Sequence, residues 1–293
     1  MNSRIRFISA MLIFGSIGVF VKNIDLSSSS IAFLRGMLGS LFLIGVSIII
    51  RKKPSFQRIR ENGILLFFSG AAIGFNWILL FQAYKYTTIS NATLSYYFAP
   101  VFVMLLAPFV LKEKLTFIKI ASIIAAMIGL FLIVNVGSNV TEGSFNHTIG
   151  ILYGLSAAVL YASVILMNKF IKNLSGIETT VIQLLLATLV LLPYVLIKDQ
   201  INLSSISLQS GIYILILGIF HTGIAYFLYF TSFKDLKAQS IAVLSYVDPI
   251  SAVVFAAVFL GESMSLIQIL GGILILGSTY LSERLTAQLS RTP

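Results

Sequence analysis

The 293-residue sequence has no cysteine, one tryptophan, two histidines and only ten acidic residues. The missing cysteines exclude a disulfide framework and any thiolate metal site. Charged residues make up 10% of the chain, against about 25% in a soluble domain. A chain so poor in charge cannot cover itself against water, but it suits a lipid solvent. Also missing are a phosphate-binding Gly loop with its Lys, a His-Glu-x-x-His pair and a nucleophile elbow. The chain is therefore not expected to be an enzyme, to bind a metal or cofactor, or to be driven directly by ATP.

What fills the sequence is apolar, at 58%. A helix needs about 20 mainly apolar residues to cross about 30 Å of hydrocarbon. Ten segments qualify, at roughly 5–21, 28–50, 63–83, 90–111, 115–136, 148–168, 176–197, 209–231, 237–260 and 264–282. The first, with Arg4 and Arg6 ahead of an apolar run to Val21, looks like a secretory leader. No small-residue cleavage pattern closes it, so it is read as a span.

The net charge of +10 would point to nucleic acid in a soluble protein. Here the basic residues sit between apolar runs, so they report topology and no nucleic-acid partner is expected. With ten spans and a cytoplasmic N-terminus, sixteen Lys and Arg fall on the cytoplasmic side. Only Lys22, Lys85 and Lys198 fall on the other, and Arg35 lies within a span. This asymmetry predicts a multi-pass protein of the plasma or inner cell membrane with both termini in the cytoplasm.

Shifting the chain by 149 residues aligns its halves without a gap over about 55 positions. Gly74 meets Gly223, Tyr97 meets Tyr246, Pro100 meets Pro249 and Glu113 meets Glu262, while Trp77 faces Tyr226. Five helices per half is an odd number, so the second half enters the membrane from the opposite side. The expected fold is an all-α membrane protein of ten transmembrane helices in two inverted five-helix repeats, divided at 1–142 and 143–293. Such repeats suit alternating access to a midplane site, although channels also use them.

Two stretches carry a family resemblance: Ser95-Tyr-Tyr-Phe-Ala-Pro100 with Leu111-Lys-Glu113, and Ser245-Tyr-Val-Asp-Pro249 with Leu260-Gly-Glu262. They make the chain similar to the EamA-type exporters of the drug/metabolite transporter superfamily, over essentially its full length. The resemblance implies a central cavity between two five-helix bundles, lined largely by helices 3, 4, 8 and 9. It implies export of amino acids or other metabolites, with a small-molecule solute and the lipid bilayer as partners. Multidrug efflux, a channel and an intramembrane enzyme are the alternatives. Monomer and homodimer both remain open.

The candidate residues follow from charge and polarity at membrane depth. Pro100 and Pro249 each remove a backbone hydrogen bond, freeing the carbonyls of Tyr96 and Ser245, and read as hinges or static kinks. Asp248 costs about 2.5–3.5 kcal/mol at mid-span, and its repeat mate is Ala99. It reads as a substrate contact, a protonatable coupling group or a local cap. His221 reads as a proton relay, a substrate donor or a packed neutral histidine. Asp248 and His221 make protons the candidate coupling ion. Asn76, Trp77, Tyr97, Tyr226 and Tyr246 are expected near the cavity, giving it aromatic walls for organic solutes. Tyr84, Tyr86 and Tyr229 lie near helix ends and are expected in the interfacial belt. Arg35 reads as an anion contact, a partner of Asp248 or a structural group. Glu113 and Glu262, matched across the repeat at opposite faces, read as architecture or gating.

Overall fold

A computed structural model of the chain describes residues 2–49, 56–137, 146–199, 206–232, 236 and 238–289. Of the basic residues counted above, Arg51, Lys52, Lys53, Lys234, Lys237 and Arg291 lie outside the described residues. Ten described helices are long and apolar enough to span a membrane. The first five are α1 (Ser3–Lys22), α2 (Ser28–Ile49), α3 (Gly63–Tyr86), α4 (Ile89–Val110) and α5 (Phe117–Gly137). The second five are α6 (His147–Asn168), α7 (Gly176–Lys198), α8 (Leu208–Ser232), α9, which ends at Leu260, and α10 (Leu266–Leu289). Polar residues stop the runs. Thr88, Asn146, Ser175 and Ser207 cap helix starts with their side chains, Ser175 in a reciprocal box with Glu178.

The outer surface is apolar, and polar side chains are buried within an apolar core. Phe109, Phe117, Leu208 and Leu266 are all about four-fifths exposed. Ser69, Asn76, Asn91, Gln183, His221 and Thr222 are buried. Lipid tails give no hydrophobic incentive for helix association, so small residues and interhelical hydrogen bonds supply the contacts. Gln183 on α7, for example, donates to Ser69 on α3 and to Asn168 on α6, both at 2.7 Å.

The inverted repeat is visible in paired contacts. Where α5 crosses α10, a Cβ added at Gly129 would lie 2.5 Å from the Gly271 carbonyl oxygen, and one at Gly271 would lie 2.6 Å from that of Gly129. Only glycines fit this crossing. The 149-residue shift sends that pair to Ser278 and Ser122, and Ser122 Oγ donates to the Ser278 carbonyl at 2.9 Å. Each contact is the image of the other under exchange of the halves.

Three helices depart from regularity. Helix α4 breaks between Ile89–Tyr96 and Ala99–Val110, with Pro100 at the start of its second segment. Helix α9 breaks between Ala238–Ser245 and Val247–Leu260, with Asp248 and Pro249 in the first turn of its second segment. The prolines thus start new segments inside a span, as their missing N–H groups favour. The third irregularity has no signal in the sequence: residues Ile216–Ile224 of α8 form a π-helix.

Candidate central chamber and end latches

Midway through the bundle, the two helix breaks face each other. Tyr97, at the break of α4, donates its hydroxyl to Asp248 Oδ2, at the break of α9, over 2.5 Å. The carboxylate sits in the first turn of a half-helix, whose N-terminal dipole favours an anion. Helix α1 presses against this turn through Gly15: a Cβ there would lie 2.8 Å from the Asp248 carbonyl oxygen and would overlap Ser251 Oγ. At the break of α4 the Tyr97 ring meets Tyr96, whose ring meets Tyr161 of α6, while Phe14 of α1 meets Tyr226 and Tyr229 of α8. Tyr96, Tyr97, Tyr226 and Tyr229 are half-buried, and Tyr161 is exposed although its ring meets Tyr96 at 5.5 Å. These rings, with Phe14 against Tyr226 and Tyr229, make a tyrosine-rich zone on α4, α6 and α8 that is the candidate site.

Arg35 supplies the chamber's positive pole. It is 3% exposed, and its Nε donates to Thr222 Oγ1 at 2.8 Å. Its guanidinium lies 4.5 Å from the centre of the Trp77 ring. A desolvated cation–π contact contributes about 2 kcal/mol and a hydrogen bond to a charged group about 1.5–3 kcal/mol. Together these offset an insertion cost of about 3 kcal/mol for an arginine at membrane depth. The arginine is held in place without being neutralised. Among the described residues no carboxylate pairs with it, and neither terminal nitrogen has a hydrogen-bond partner.

The π-helix positions two buried polar residues of α8, His221 and Thr222. Its wider turn brings Thr222 Oγ1 within 2.9 Å of the Leu217 carbonyl and His221 Nδ1 within 3.3 Å of that of Ile216, each five residues back. On its other side, His221 Nε2 meets Ser16 Oγ of α1 at 2.8 Å. Carbonyls only accept, so the neutral imidazole with its proton on Nδ1 satisfies both contacts, Ser16 donating to Nε2. Ser16 Oγ also lies 2.8 Å from the Ile13 carbonyl. A hydroxyl rotation therefore satisfies the doubly protonated ring too.

Not every candidate gathers here. Asn76 donates to the Ala157 carbonyl at 2.6 Å and ties α3 to α6, with 2% of its surface exposed. Trp77 is 6% exposed, under the Arg35 guanidinium. Tyr246 faces away from the chamber: its hydroxyl bonds Thr279 of α10 and its ring meets Tyr280. It lines an apolar groove of about 510 Å³ between α9 and α10 that includes Pro249 and Met264. Tyr229, expected in the interfacial belt, instead packs on Phe7 and Phe14 because α1 covers that part of α8. Tyr161 and Ser16 escape sequence reasoning. A tyrosine or serine on an apolar helix carries no mark of which side it faces.

At the two ends of the bundle, α4 and α9 finish alike. Lys112 (φ 57°) and Gly261 (φ 66°), related by the repeat shift, are both left-handed. After each, the glutamate N–H returns to a carbonyl six residues back: Glu113 to Ala107 at 3.4 Å, Glu262 to Ala256 at 3.2 Å. The side chains then diverge. Glu262 pairs with Lys22 of α1 at 2.9 Å and accepts from Ile89 N, Ser90 N and Ser90 Oγ at 2.8, 3.2 and 3.1 Å. It thereby clasps the N-terminus of α4, where the helix dipole favours a carboxylate. Gln268 of α10 adds a bond to Asn91 of α4 at 3.2 Å. Among the described residues the Glu113 side chain meets only Lys119, in its own repeat, at 3.0 Å. Its side chain is 50% exposed, against 7% for Glu262.

Beside the Glu262 clasp, Asp199 at the end of α7 accepts from Ser27 and Ser30 at the start of α2. Burial works against this carboxylate, but serine hydrogen bonds and Lys198 outweigh it and hold its pKa below the ordinary value.

Ten spans in two inverted repeats around a polar, broken-helix midplane define a polytopic transporter-type membrane protein. The model of the EamA-like transporter family matches residues 4–135 and 148–284, and the chain belongs to that family. It is 33% identical over 279 residues to an uncharacterized transporter, YxxF, of Bacillus subtilis (strain 168), covering 95% of this chain and 88% of that one. It is 28% identical over 280 residues to an uncharacterized transporter of Archaeoglobus fulgidus, covering 94% of each. A solved structure described only as a crystal structure of a protein superposes with a TM-score of 0.63 at 18% identity. It covers 97% of this chain and 98% of that one, a likeness of fold.

Proposed function

We propose that this EamA-family transporter exports small metabolites, amino acids or related compounds among them, by alternating access driven by a proton gradient. The observation that carries this reading is the inequality of two equivalent latches. Glu113 and Glu262 leave the same backbone turn, yet Glu262 clasps two helices of the other repeat, while among the described residues Glu113 meets only Lys119. An inverted-repeat transporter resting with one face closed has this asymmetry, and exchanging the two arrangements opens the other face. In the exchanged state Glu113 clasps the start of α9 at Ala238 and Gln239, the repeat images of Ile89 and Ser90, and Glu262 lets go. The basic-residue asymmetry assigns the Glu113 face to the cytoplasm, so the present state accepts solute from inside.

Asp248 and His221 are the groups through which protons act. Asp248 faces the solute chamber, and His221 joins α1 to the π-helix in either protonation state. Saturable counterflow of labelled cell metabolites in proteoliposomes is the expected result. Absence of counterflow with folded protein and a broad metabolite extract overturns the reading. If Asp248→Asn leaves transport driven by a pH gradient unchanged, Asp248 is not the coupling site.

A further inference from the structure

We infer that the apolar groove between α9 and α10 is a lipid site, holding one acyl chain of a membrane phospholipid as a wedge that favours the arrangement in which Glu262 is engaged. The binding stands on the groove alone, and the preference for one arrangement rests on the alternating-access reading.

The groove has a volume of about 510 Å³, with Val253 and Val254 of α9 on one wall and Ile273 and Leu276 of α10 on the other. Buried Leu94 of α4 lies at its floor, where a Cβ added at Gly272 would be 3.1 Å from Leu94 Cδ1. Ile250, Val254 and Ile273 are each half-exposed or more, and on spanning helices that side meets hydrocarbon. Tyr246 gives its hydroxyl to Thr279 of α10, so it is the ring that faces the groove. Such walls suit an apolar occupant, and in a bilayer the lipid chain is the apolar molecule at hand. A chain restores the dispersion contacts that a void would forfeit. The length also fits. Along α10 the lining runs from Ile269, near the Glu262 end, to Tyr280, about 16 Å. Half of the hydrocarbon core is about 15 Å, so a chain from the leaflet on the Glu262 side reaches the paired rings of Tyr246 and Tyr280.

The repeat explains why the groove belongs to one half. The 149-residue shift sends Leu94 and Val243, both in the lining, to each other's places. It sends Gly272 to Ile123 and Gly277 to Ile128. Among the described residues a Cβ added at Gly277 meets nothing within 4 Å, so no close approach demands this glycine and its missing side chain is open groove. Where the first half places two isoleucines, the second leaves space. Exchanging the two arrangements builds the image groove between α4 and α5, with Val243 at its floor, and Ile123 and Ile128 fill it. The chain therefore fits one arrangement and not the other. A ligand of unequal affinity for two states shifts their balance toward the one it fits.

Photo-cross-linking in proteoliposomes tests the site, using a phosphatidylcholine with a diazirine in one acyl chain and peptide mass spectrometry to map the adducts. Adducts on the wild type are expected to concentrate on residues 243–254 and 269–280, severalfold above lipid-facing residues elsewhere such as Phe67 and Phe131. Gly277→Ile, which copies the first half's residue into open space, is expected to reduce the groove adducts severalfold. Gly45→Ile, at another glycine with open space around it, is expected to leave them unchanged. The wild-type map stands even if a variant fails to fold. An even spread of adducts over the lipid-facing helices, or groove adducts undiminished in folded Gly277→Ile, overturns the site. So does a second copy of the chain in the groove, seen as weak labelling together with dimers that Gly277→Ile disperses. For the preference, Gly277→Ile is expected to speed reaction of Phe14→Cys with an impermeant maleimide added from the Glu262 side. Unchanged reaction when the groove adducts are lost overturns the preference. Absence of counterflow with a metabolite extract fails the transport reading and leaves the lipid site standing.

Discussion

The turn at Glu262 and the turn at Glu113 share a backbone and differ in everything their side chains touch. At one, the carboxylate is nearly buried and binds α1 and α4; at the other, it is half-exposed and among the described residues reaches only Lys119. Local sequence cannot be the cause, because both helices end with a leucine, a left-handed residue and a glutamate. The difference lies in where α4 and α9 stand relative to each other. It teaches that a repeat can encode two equivalent turns that the described conformation uses unequally.

The largest expected effect comes from unequal damage to equal residues. Glu262→Gln removes the charge from four bonds in a nearly closed environment, a loss of about 2–3 kcal/mol. Such a loss shifts the balance between the two states by about tenfold to hundredfold. A single cysteine at Phe14 in this cysteine-free chain then reacts faster with an impermeant maleimide added from the Glu262 side. Glu113→Gln, made at an exposed site, leaves the melting temperature unchanged but slows counterflow. Matching effects of the two substitutions on labelling and stability would break the comparison. A smaller effect sharpens it. Gly261→Ala places a side chain at φ 66° and costs about 1 kcal/mol, whereas Lys112→Gly relieves a left-handed lysine and gains up to about 1 kcal/mol. Melting temperatures should move in opposite directions.

The sequence displays the latches and the breaks because proline, glutamate and aspartate are rare in so apolar a chain. Pro100 matched with Pro249, and Glu113 with Glu262, are visible by a single shift of the chain. Span length and charge similarly expose ten helices. The chamber is less legible. Asp248 and Tyr226 stand out by depth, but Tyr161 reads like any tyrosine on a membrane helix. Tyr246 looks like Tyr97 in its repeat position, yet it turns to α10 while Tyr97 turns to Asp248. The π-helix of α8 has no sequence marker, so the partners it gives Arg35 and His221 are a matter of tertiary packing. Arg35 is conspicuous as a charge inside a span, but its bond to Thr222 and its contact with Trp77 come from tertiary packing.

The central claim is that the two faces exchange closure, and two cysteine pairs test it most directly. Asn91 and Gln268 are hydrogen-bonded at the Glu262 end, and the repeat shift sends them to Ser240 and Lys119. A disulfide between Asn91→Cys and Gln268→Cys should form readily, stop counterflow and release it on reduction. It should also prevent cross-linking of Ser240→Cys with Lys119→Cys in the same chain, a pair expected to form only when the Glu262 face opens. Both cross-links forming together, or transport persisting with Asn91→Cys and Gln268→Cys joined, would contradict the account.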